Sequence, residues 1–206
     1  AIDPSSTLTG GSILGDKTRM ELLTRDPNAF IRPSPSGGTL GGVAARTREA
    51  ILLCEAAGFD LVVVETVGIG QSETMAAQMT DMFVLLLAPG GGDELQGIKR
   101  GIMELADLIL VNKADGELEH AANKAVREYR LGVQLIRPRS KHWEVSVEPC
   151  SALQDRGIAE SWRRMCDYRE VMNVHGEIAV RRGSQAKTWM YAEIHDALEQ
   201  RFRANV

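Results

Sequence analysis

The stretch that decides the fold is LVVVETVGIGQSE, residues 61–73. Its first four residues are apolar and three of them are β-branched, which predicts a strand at Leu61 to Val64, buried on both faces as in a parallel sheet. The strand would deliver Glu65 to its carboxyl end, the edge at which open α/β sheets bind ligands. Gly68 and Gly70 then allow the backbone to approach a ligand closely. This pattern is typical of a nucleotide-hydrolysing switch, and an ordinary turn with a solvated glutamate is the alternative.

The rest of the chain alternates between strand and helix patterns. Short apolar runs predict further strands at residues 30–32, 82–87, 108–111 and 145–147. Helical spacing predicts helices at residues 20–25, 43–57, 74–79, 95–106, 117–130 and from 158 onward, of which 117–130 reads as an exposed helix. Such alternation implies right-handed crossovers. The predicted fold class is therefore α/β, a doubly wound, mostly parallel sheet in residues 1–157, with a C-terminal helical extension in residues 158–206.

Composition narrows the class of protein. The chain has 206 residues, 44% of them hydrophobic and 25% charged, with a formal net charge of −4, which is typical of a globular domain. No apolar run approaches the roughly 20 residues of a membrane helix, and mild acidity without a basic block argues against nucleic acid as the main partner. Cys54, Cys150 and Cys166 are widely spaced, so neither a disulfide framework nor a structural zinc site is expected.

The most specific short motif is Asn112-Lys113-Ala114-Asp115, directly after a predicted buried strand. A carboxylate at Asp115 could accept two parallel hydrogen bonds from guanine, from N1–H and the 2-amino group, a donor pair that adenine lacks. Asn112 would tie loops together and the stem of Lys113 would lie on the base. The four-residue string also occurs by chance, but its place at a strand end favours guanine binding.

Two weaker signals accompany this motif. One is Ser151-Ala152-Leu153, which follows the next strand and would supply backbone N–H groups to the guanine carbonyl; a plain turn is the alternative. The other is the pair Asp3 and Asp16, on a loop rich in serine and glycine. Carboxylates there could hold Mg²⁺ beside phosphates, or could be solvated.

With these residues in place, the chain resembles the GTPase chaperones of cobalamin-dependent methylmalonyl-CoA mutase, in the signal-recognition-particle-like branch of P-loop GTPases. The resemblance covers nearly the whole chain and is carried by long segments: DPSS (3–6), GGSILGDKTRM (10–20), IRPSP (31–35), GTLGGV (38–43), ETVGIGQSE (65–73) and GDELQGIK (92–99).

The resemblance implies roles for individual residues. Asp3 and Asp16 match the first switch, and Glu65 begins the second, so Asp3, Asp16 and Glu65 would serve Mg²⁺. Lys99 closes a third switch that carries GTPase activation between chaperone and mutase, and Asp16, Glu65 and Lys99 are the candidate catalytic residues. The guanine site is matched by Asn112, Lys113, Asp115, Ser151, Ala152 and Leu153.

The resemblance also implies cofactors, a partner and an assembly. GTP, GDP and Mg²⁺ would be bound, and the nucleotide state would gate adenosylcobalamin loading and protection of methylmalonyl-CoA mutase. Residues 178–206 would begin a dimerisation arm, so a homodimer is expected, in the cytoplasm of a bacterium or in the mitochondrial matrix of a eukaryote. Neither nucleic acid nor a membrane is expected as a partner.

One departure from the family pattern is large. The phosphate loop G-x-x-x-x-G-K-S/T is absent from the chain, which opens at Ala1 and Ile2 like the end of a strand. We therefore expect GTP hydrolysis from the full-length protein, little from these 206 residues alone, and an exposed apolar sheet edge where the first strand belongs. The alternatives are a nickel-insertion GTPase, disfavoured because no Cys/His cluster is present, and a non-catalytic docking module.

Overall fold

The structure, a computed structural model, describes residues 2–3, 20–32, 34–35, 40–66, 71–89 and 100–204. The strands in these residues are β1 Ile2–Asp3, β2 Ser34–Pro35, β3 Val84–Leu87, β4 Leu108–Val111 and β5 Ser146–Pro149. The α-helices are α1 Glu21–Arg25, α2 Leu40–Ala56, α3 Gln71–Ala77, α4 Arg100–Met103, α5 Glu119–Gln134, α6 Ile158–Val174 and α7 Glu177–Ala204, with a 3₁₀ turn at Gly116–Leu118. Alternation of strands and helices confirms the predicted α/β class.

A three-stranded parallel sheet, in the order β3-β4-β5, lies in the compact unit formed by residues 80–184. Val84 pairs with Leu108, and Leu108 pairs with Ser146, so the strands run in step. All four residues of β4 are 0–5% exposed. The central strand therefore has the continuous apolar character that a parallel sheet covered on both faces requires.

The strand predicted at residues 82–87 is shorter and less buried than expected. It is confined to β3, and its residue Leu86 is 64% exposed. Among the described strands, β3 pairs on one side only, with β4. An edge strand leaves part of its side-chain surface uncovered, and the prediction of a fully buried strand is therefore wrong.

The second compact unit comprises residues 1–79 and 185–206, and in it two predicted strands are absent. Leu61 to Glu65 is irregular, with one bridge at Thr66, and Leu61 and Val63 are 55% and 75% exposed. β-Branched residues favour a strand only where a neighbour pairs with it. No described strand lies against Leu61 to Glu65, so the prediction of a strand buried on both faces is wrong.

The strand predicted at residues 30–32 is also wrong. These residues are irregular, and the pairing that does form lies just beyond them, where β2 runs parallel to β1 with Ile2 opposite Ser34. The Phe30 ring instead lies 6.5 Å from that of Phe59, centroid to centroid. Its apolar surface is thus used in a side-chain contact, without a backbone ladder.

The helices agree better with the sequence predictions. The periodic segments at 43–57 and 74–79 correspond to α2 and α3, each of which begins about three residues earlier, and the one from 158 onward forms α6 and α7. Gly176, at a φ of +68°, separates these last two helices. The helix expected to be exposed, α5, instead buries one face through Ala122, Val126 and Tyr129. No helix in the described part of the chain is long and apolar enough to cross a membrane.

Asp107 anchors the start of β4. Its carboxylate Oδ2 accepts the backbone N–H of Phe83 at 2.8 Å, and Arg181 of α7 donates to both carboxylate oxygens at 3.0 and 3.3 Å. Burial lowers the pKa of Arg181, but the hydrogen bonds and charge of Asp107 outweigh it and raise that pKa. Trp143 Nε1 donates to the Asp107 carbonyl at 2.8 Å, and the Tyr168 hydroxyl donates to the Asp81 carbonyl at 2.9 Å. These contacts tie the entry edge of the sheet to α6 and α7.

Candidate functional site

The loop after β4 carries the motif that the sequence singles out. Asn112 donates its backbone N–H to Leu87 of β3 at 2.8 Å, so the loop begins in register with the sheet. Lys113 has a φ of +59°, in the left-handed region that costs a non-glycine residue free energy and persists only when its surroundings hold it. Ala114 donates its N–H to the Cys150 carbonyl at 2.9 Å. The turn thereby directs Asp115 towards the loop that follows β5.

The loop after β5 is closed on itself. Ser151 and Arg156 exchange two backbone hydrogen bonds, Ser151 N to Arg156 O at 2.8 Å and the reverse at 3.0 Å. Gly157 follows at a φ of +77°, and a Cβ there would lie 2.7 Å from the Pro149 carbonyl oxygen. Only glycine fits without a shift of the backbone. The loop is therefore a compact turn whose shape is set before any ligand arrives.

Side-chain hydrogen bonds join the two loops. The Ser151 hydroxyl donates to Asp115 Oδ2 and accepts the Gln154 N–H at 3.1 Å. The Ala152 N–H donates to Asn112 Oδ1 at 3.1 Å. Ser151 itself is fully buried. The structure thus brings four of the predicted guanine-site residues together at the carboxyl ends of β4 and β5, the edge where such sheets bind ligands.

Cys150 lies beneath these contacts. It is 3% exposed, and its thiol lies 3.8 Å from Asn112 Oδ1. Burial raises the pKa of the thiol, so the neutral form is favoured. The thiol acts here as a small apolar group that supports the Asn112 side chain.

The other two predicted residues of this site lie at its surface. Lys113 is exposed, and Leu153 is 86% exposed. An exposed lysine stem next to the loop is compatible with a base lying on it, and Leu153 contributes through its position in the turn. Their roles in guanine binding stay predictions.

The predicted metal and catalytic residues lie apart from this site along the chain. Asp3 ends β1, and Glu65 is exposed at the end of the irregular segment; both belong to the unit formed by residues 1–79 and 185–206. Asp16 and Lys99 lie outside the described residues. Across the part of the chain that the structure describes, no three His, Cys, Asp or Glu side chains form a group that could hold a metal ion.

Two residues beside the predicted guanine site, Arg156 and Glu119, were missed by the motifs. The Arg156 guanidinium donates to the Ala114 carbonyl, and its Nη1 lies 3.2 Å from Glu119 Oε1. The sequence places Arg156 directly before Gly157, which marks the end of a turn. That position gives no sign that the side chain reaches across to the other loop.

Comparison with known proteins matches the whole chain to one family. Over residues 1–206 the chain matches the sequence profile of the family described as Methylmalonyl Co-A mutase-associated GTPase MeaB. It is 51% identical over 205 residues to the mitochondrial methylmalonic aciduria type A homolog of Mus musculus. The aligned region covers 100% of this chain and 49% of the mouse protein. It is also 48% identical over 205 residues to the GTPase ArgK of Escherichia coli (strain K12). That aligned region covers 100% of this chain and 62% of the E. coli protein.

A solved structure shows the same fold. The crystal structure of an LAO/AO transport system kinase superposes with a TM-score of 0.78 at 40% sequence identity, and the match covers 89% of this chain and 57% of that one. The chain spans 49% to 62% of the length of the two curated relatives named above. From the profile match over its whole length, the chain belongs to the methylmalonyl-CoA mutase-associated GTPase family.

Proposed function

We propose that the full-length protein binds GTP and GDP through this site and hydrolyses GTP. The observation that carries the proposal is the joining of Asp115 to Ser151 and of Asn112 to Ala152 at one edge of the sheet. Asp115 Oδ2 is held by the Ser151 hydroxyl, and its Oδ1 accepts no hydrogen bond within the described residues. A carboxylate fixed in this way can accept from guanine N1–H and the 2-amino group together, and adenine offers no such pair.

The predicted role of Ala152 needs one adjustment within this proposal. Its N–H, expected to reach the guanine carbonyl, here donates to Asn112 Oδ1. A bound guanine carbonyl would share or replace that contact. Asn112 then serves to hold the N–H of Ala152 in place while the site is empty of base, which limits the reorganisation that binding requires.

In this proposal the phosphates and Mg²⁺ are bound by the other predicted residues of the chain. Asp3, Asp16 and Glu65 are the carboxylates that would hold Mg²⁺, with Asp16, Glu65 and Lys99 serving hydrolysis. Carboxylate oxygen is the ligand that Mg²⁺ prefers, and Glu65 presents an exposed carboxylate. Mg²⁺ would supply charge neutralisation at the phosphates.

The partner proposed is methylmalonyl-CoA mutase, and support comes from the family description and from the name of the mouse relative. The nucleotide state would gate adenosylcobalamin loading and protection of the mutase. For this to occur the mutase must bind the GTP and GDP states with different affinity, since a ligand of equal affinity shifts no equilibrium. The location would be the cytoplasm in a bacterium and the mitochondrial matrix in a eukaryote.

A homodimer is also proposed, through α7. Tyr191, Ile194, Leu198 and Phe202 are 58%, 49%, 63% and 74% exposed. Their spacing of three, four and four residues places them on one face of the helix. A continuous apolar stripe of this kind favours packing against a second copy of the same helix.

Asp115→Asn in the full-length protein tests the guanine site. The amide would lose the paired acceptance from guanine and could donate to the 2-oxo group of xanthine. We expect GTP affinity to fall by about 10²-fold or more and xanthosine triphosphate to be preferred. Calorimetry with both nucleotides measures this, with Asp155→Asn as the control because Asp155 is exposed and lies in the left-handed region that asparagine tolerates. Equal GTP affinity in Asp115→Asn and the parent would contradict the proposal.

A further inference from the structure

Arg156 also connects the two loops of the proposed guanine site, through both its backbone and its side chain. Its backbone closes the loop that carries Ser151, through the two hydrogen bonds at 2.8 and 3.0 Å. Its guanidinium reaches the other loop and donates to the carbonyl of Ala114, the residue immediately before Asp115. A displacement of either loop therefore has to move Arg156.

The Ala114 contact bears on the direction of the Asp115 carboxylate. The Ala114 N–H is already held by the Cys150 carbonyl at 2.9 Å, so Arg156 fixes the other side of the same residue. The neighbouring Lys113 is in the left-handed region, where the backbone needs outside contacts to stay. With both its N–H and its carbonyl hydrogen-bonded, Ala114 is restrained, which favours the observed orientation of Asp115 towards Ser151.

Glu119 orients Arg156. It lies in the first turn of α5, and its Oε1 is 3.2 Å from Arg156 Nη1 while Nη2 serves Ala114. Both side chains are about half exposed, 50% for Arg156 and 51% for Glu119. An ion pair at that exposure contributes little to folding stability. Its effect is expected in the geometry of the loop.

We infer that Arg156 is a positioning residue that sets guanine specificity, acting through the Ala114 carbonyl on the carboxylate of Asp115. The inference rests on the proposed guanine site. Paired acceptance from N1–H and the 2-amino group requires the carboxylate plane to coincide with that of the base, whereas a single hydrogen bond tolerates a tilt. Loss of the Arg156 contact should therefore weaken recognition of the 2-amino group more than the remaining contacts to the nucleotide.

The experiment compares GDP with inosine diphosphate, which lacks the 2-amino group, in the full-length protein. The quantity compared is the Kd for inosine diphosphate divided by the Kd for GDP. In Arg156→Met, which keeps the apolar stem and loses the donors, we expect this ratio to fall roughly tenfold, the effect of one charge-assisted hydrogen bond. Arg156→Lys keeps a donor and should restore most of the ratio.

Arg163→Met is the matched control, since Arg163 pairs with Glu160 on α6 at 2.7 Å, is exposed and touches neither loop. An unchanged ratio in Arg156→Met would overturn the inference and leave the proposed function standing. A parent that fails to distinguish GDP from inosine and adenosine diphosphates would overturn both. If Arg156→Met does not fold, Glu119→Gln decides: a fall of about two- to threefold supports the inference, and no change overturns it.

Discussion

Two segments of this chain share one local pattern, an aspartate followed by four apolar residues, and they end in different states. Asp107 precedes β4, whose residues are 0–5% exposed and pair with strands on both sides. Asp60 precedes the segment Leu61 to Val64, in which Leu61 and Val63 are 55% and 75% exposed and no strand forms. The apolar runs are alike in length and β-propensity.

The difference lies in what each segment meets. Asp107 is 3% exposed and accepts from Phe83 and Arg181, whereas Asp60 is exposed and makes no side-chain hydrogen bond among the described residues. A strand depends on neighbours that satisfy its backbone groups and cover its side chains. A local apolar run favours a strand, but the strand forms only where another strand pairs with it.

The largest effect is expected from removing the two aspartates. Asp107→Ala would leave Arg181 without its carboxylate and the Phe83 N–H without its acceptor, which should lower the free energy of unfolding by about 3–5 kcal/mol. Asp60→Ala should change it by less than about 0.5 kcal/mol, as expected for an exposed site. Urea denaturation followed by circular dichroism measures both. Equal effects would show that the contrast between the segments is not energetic.

A smaller effect is expected from replacing one valine by alanine in each of the two apolar runs. Val111 is 0% exposed and Val63 is 75% exposed. In this chain Val111→Ala should cost about 1.5–3 kcal/mol of the free energy of unfolding, because two methyl groups leave a filled core. Val63→Ala should cost less than about 0.5 kcal/mol. The same denaturation measurement applies.

Measuring the same valine substitutions in the full-length protein extends this second comparison. The two curated relatives named above are longer than this chain, which spans 49% and 62% of their length. A strand supplied by the rest of the protein beside Leu61 to Val64 would bury Val63, and the cost of Val63→Ala would then rise towards that of Val111→Ala. A cost that stays below about 0.5 kcal/mol in the full-length protein would show that this segment remains unpaired there.

The same contrast explains how much of the molecule could be predicted from sequence. β4, and the positions of Asn112 and Asp115 just after it, follow from a local apolar run and a motif at its end. The joining of Asp115 to Ser151 follows from one rule, that parallel strands end at one edge of a sheet. These are features that a few adjacent residues determine.

What could not be predicted depends on contacts between residues far apart in the chain. Arg156 reaches Ala114 across 42 positions, and Arg181 reaches Asp107 across 74. Phe30 packs on Phe59 without forming a strand. No local pattern encodes such partners, because the same arginine or phenylalanine would fit an exposed position equally well.

The smallest predicted effect concerns Tyr168, which supports the approach to β3. The Tyr168 hydroxyl donates to the Asp81 carbonyl at 2.9 Å, and the side chain is 1% exposed. Tyr168→Phe keeps the ring, which stacks edge-on against Trp143, and removes one neutral hydrogen bond. We expect a loss of about 1 kcal/mol in the free energy of unfolding at neutral pH. Tyr191→Phe, on the exposed face of α7, is the control and should have almost no effect.

The pH dependence of the free energy of unfolding distinguishes the contribution of the Tyr168 hydroxyl from that of the packing of its ring. Burial, and next the negative charge of Asp107, raise the pKa of Tyr168 above its ordinary value near 10. The folded state therefore holds the phenolic proton more tightly than the unfolded state does, so the stabilisation is complete below about pH 10 and is lost as pH rises from there towards the folded-state pKa. Between about pH 9 and 11 the parent should lose more stability than Tyr168→Phe does, and the gap between them should narrow. Parallel loss in both proteins would mean that Tyr168 ionises as freely in the folded state as in the unfolded chain, and that the support under β3 comes from the ring alone.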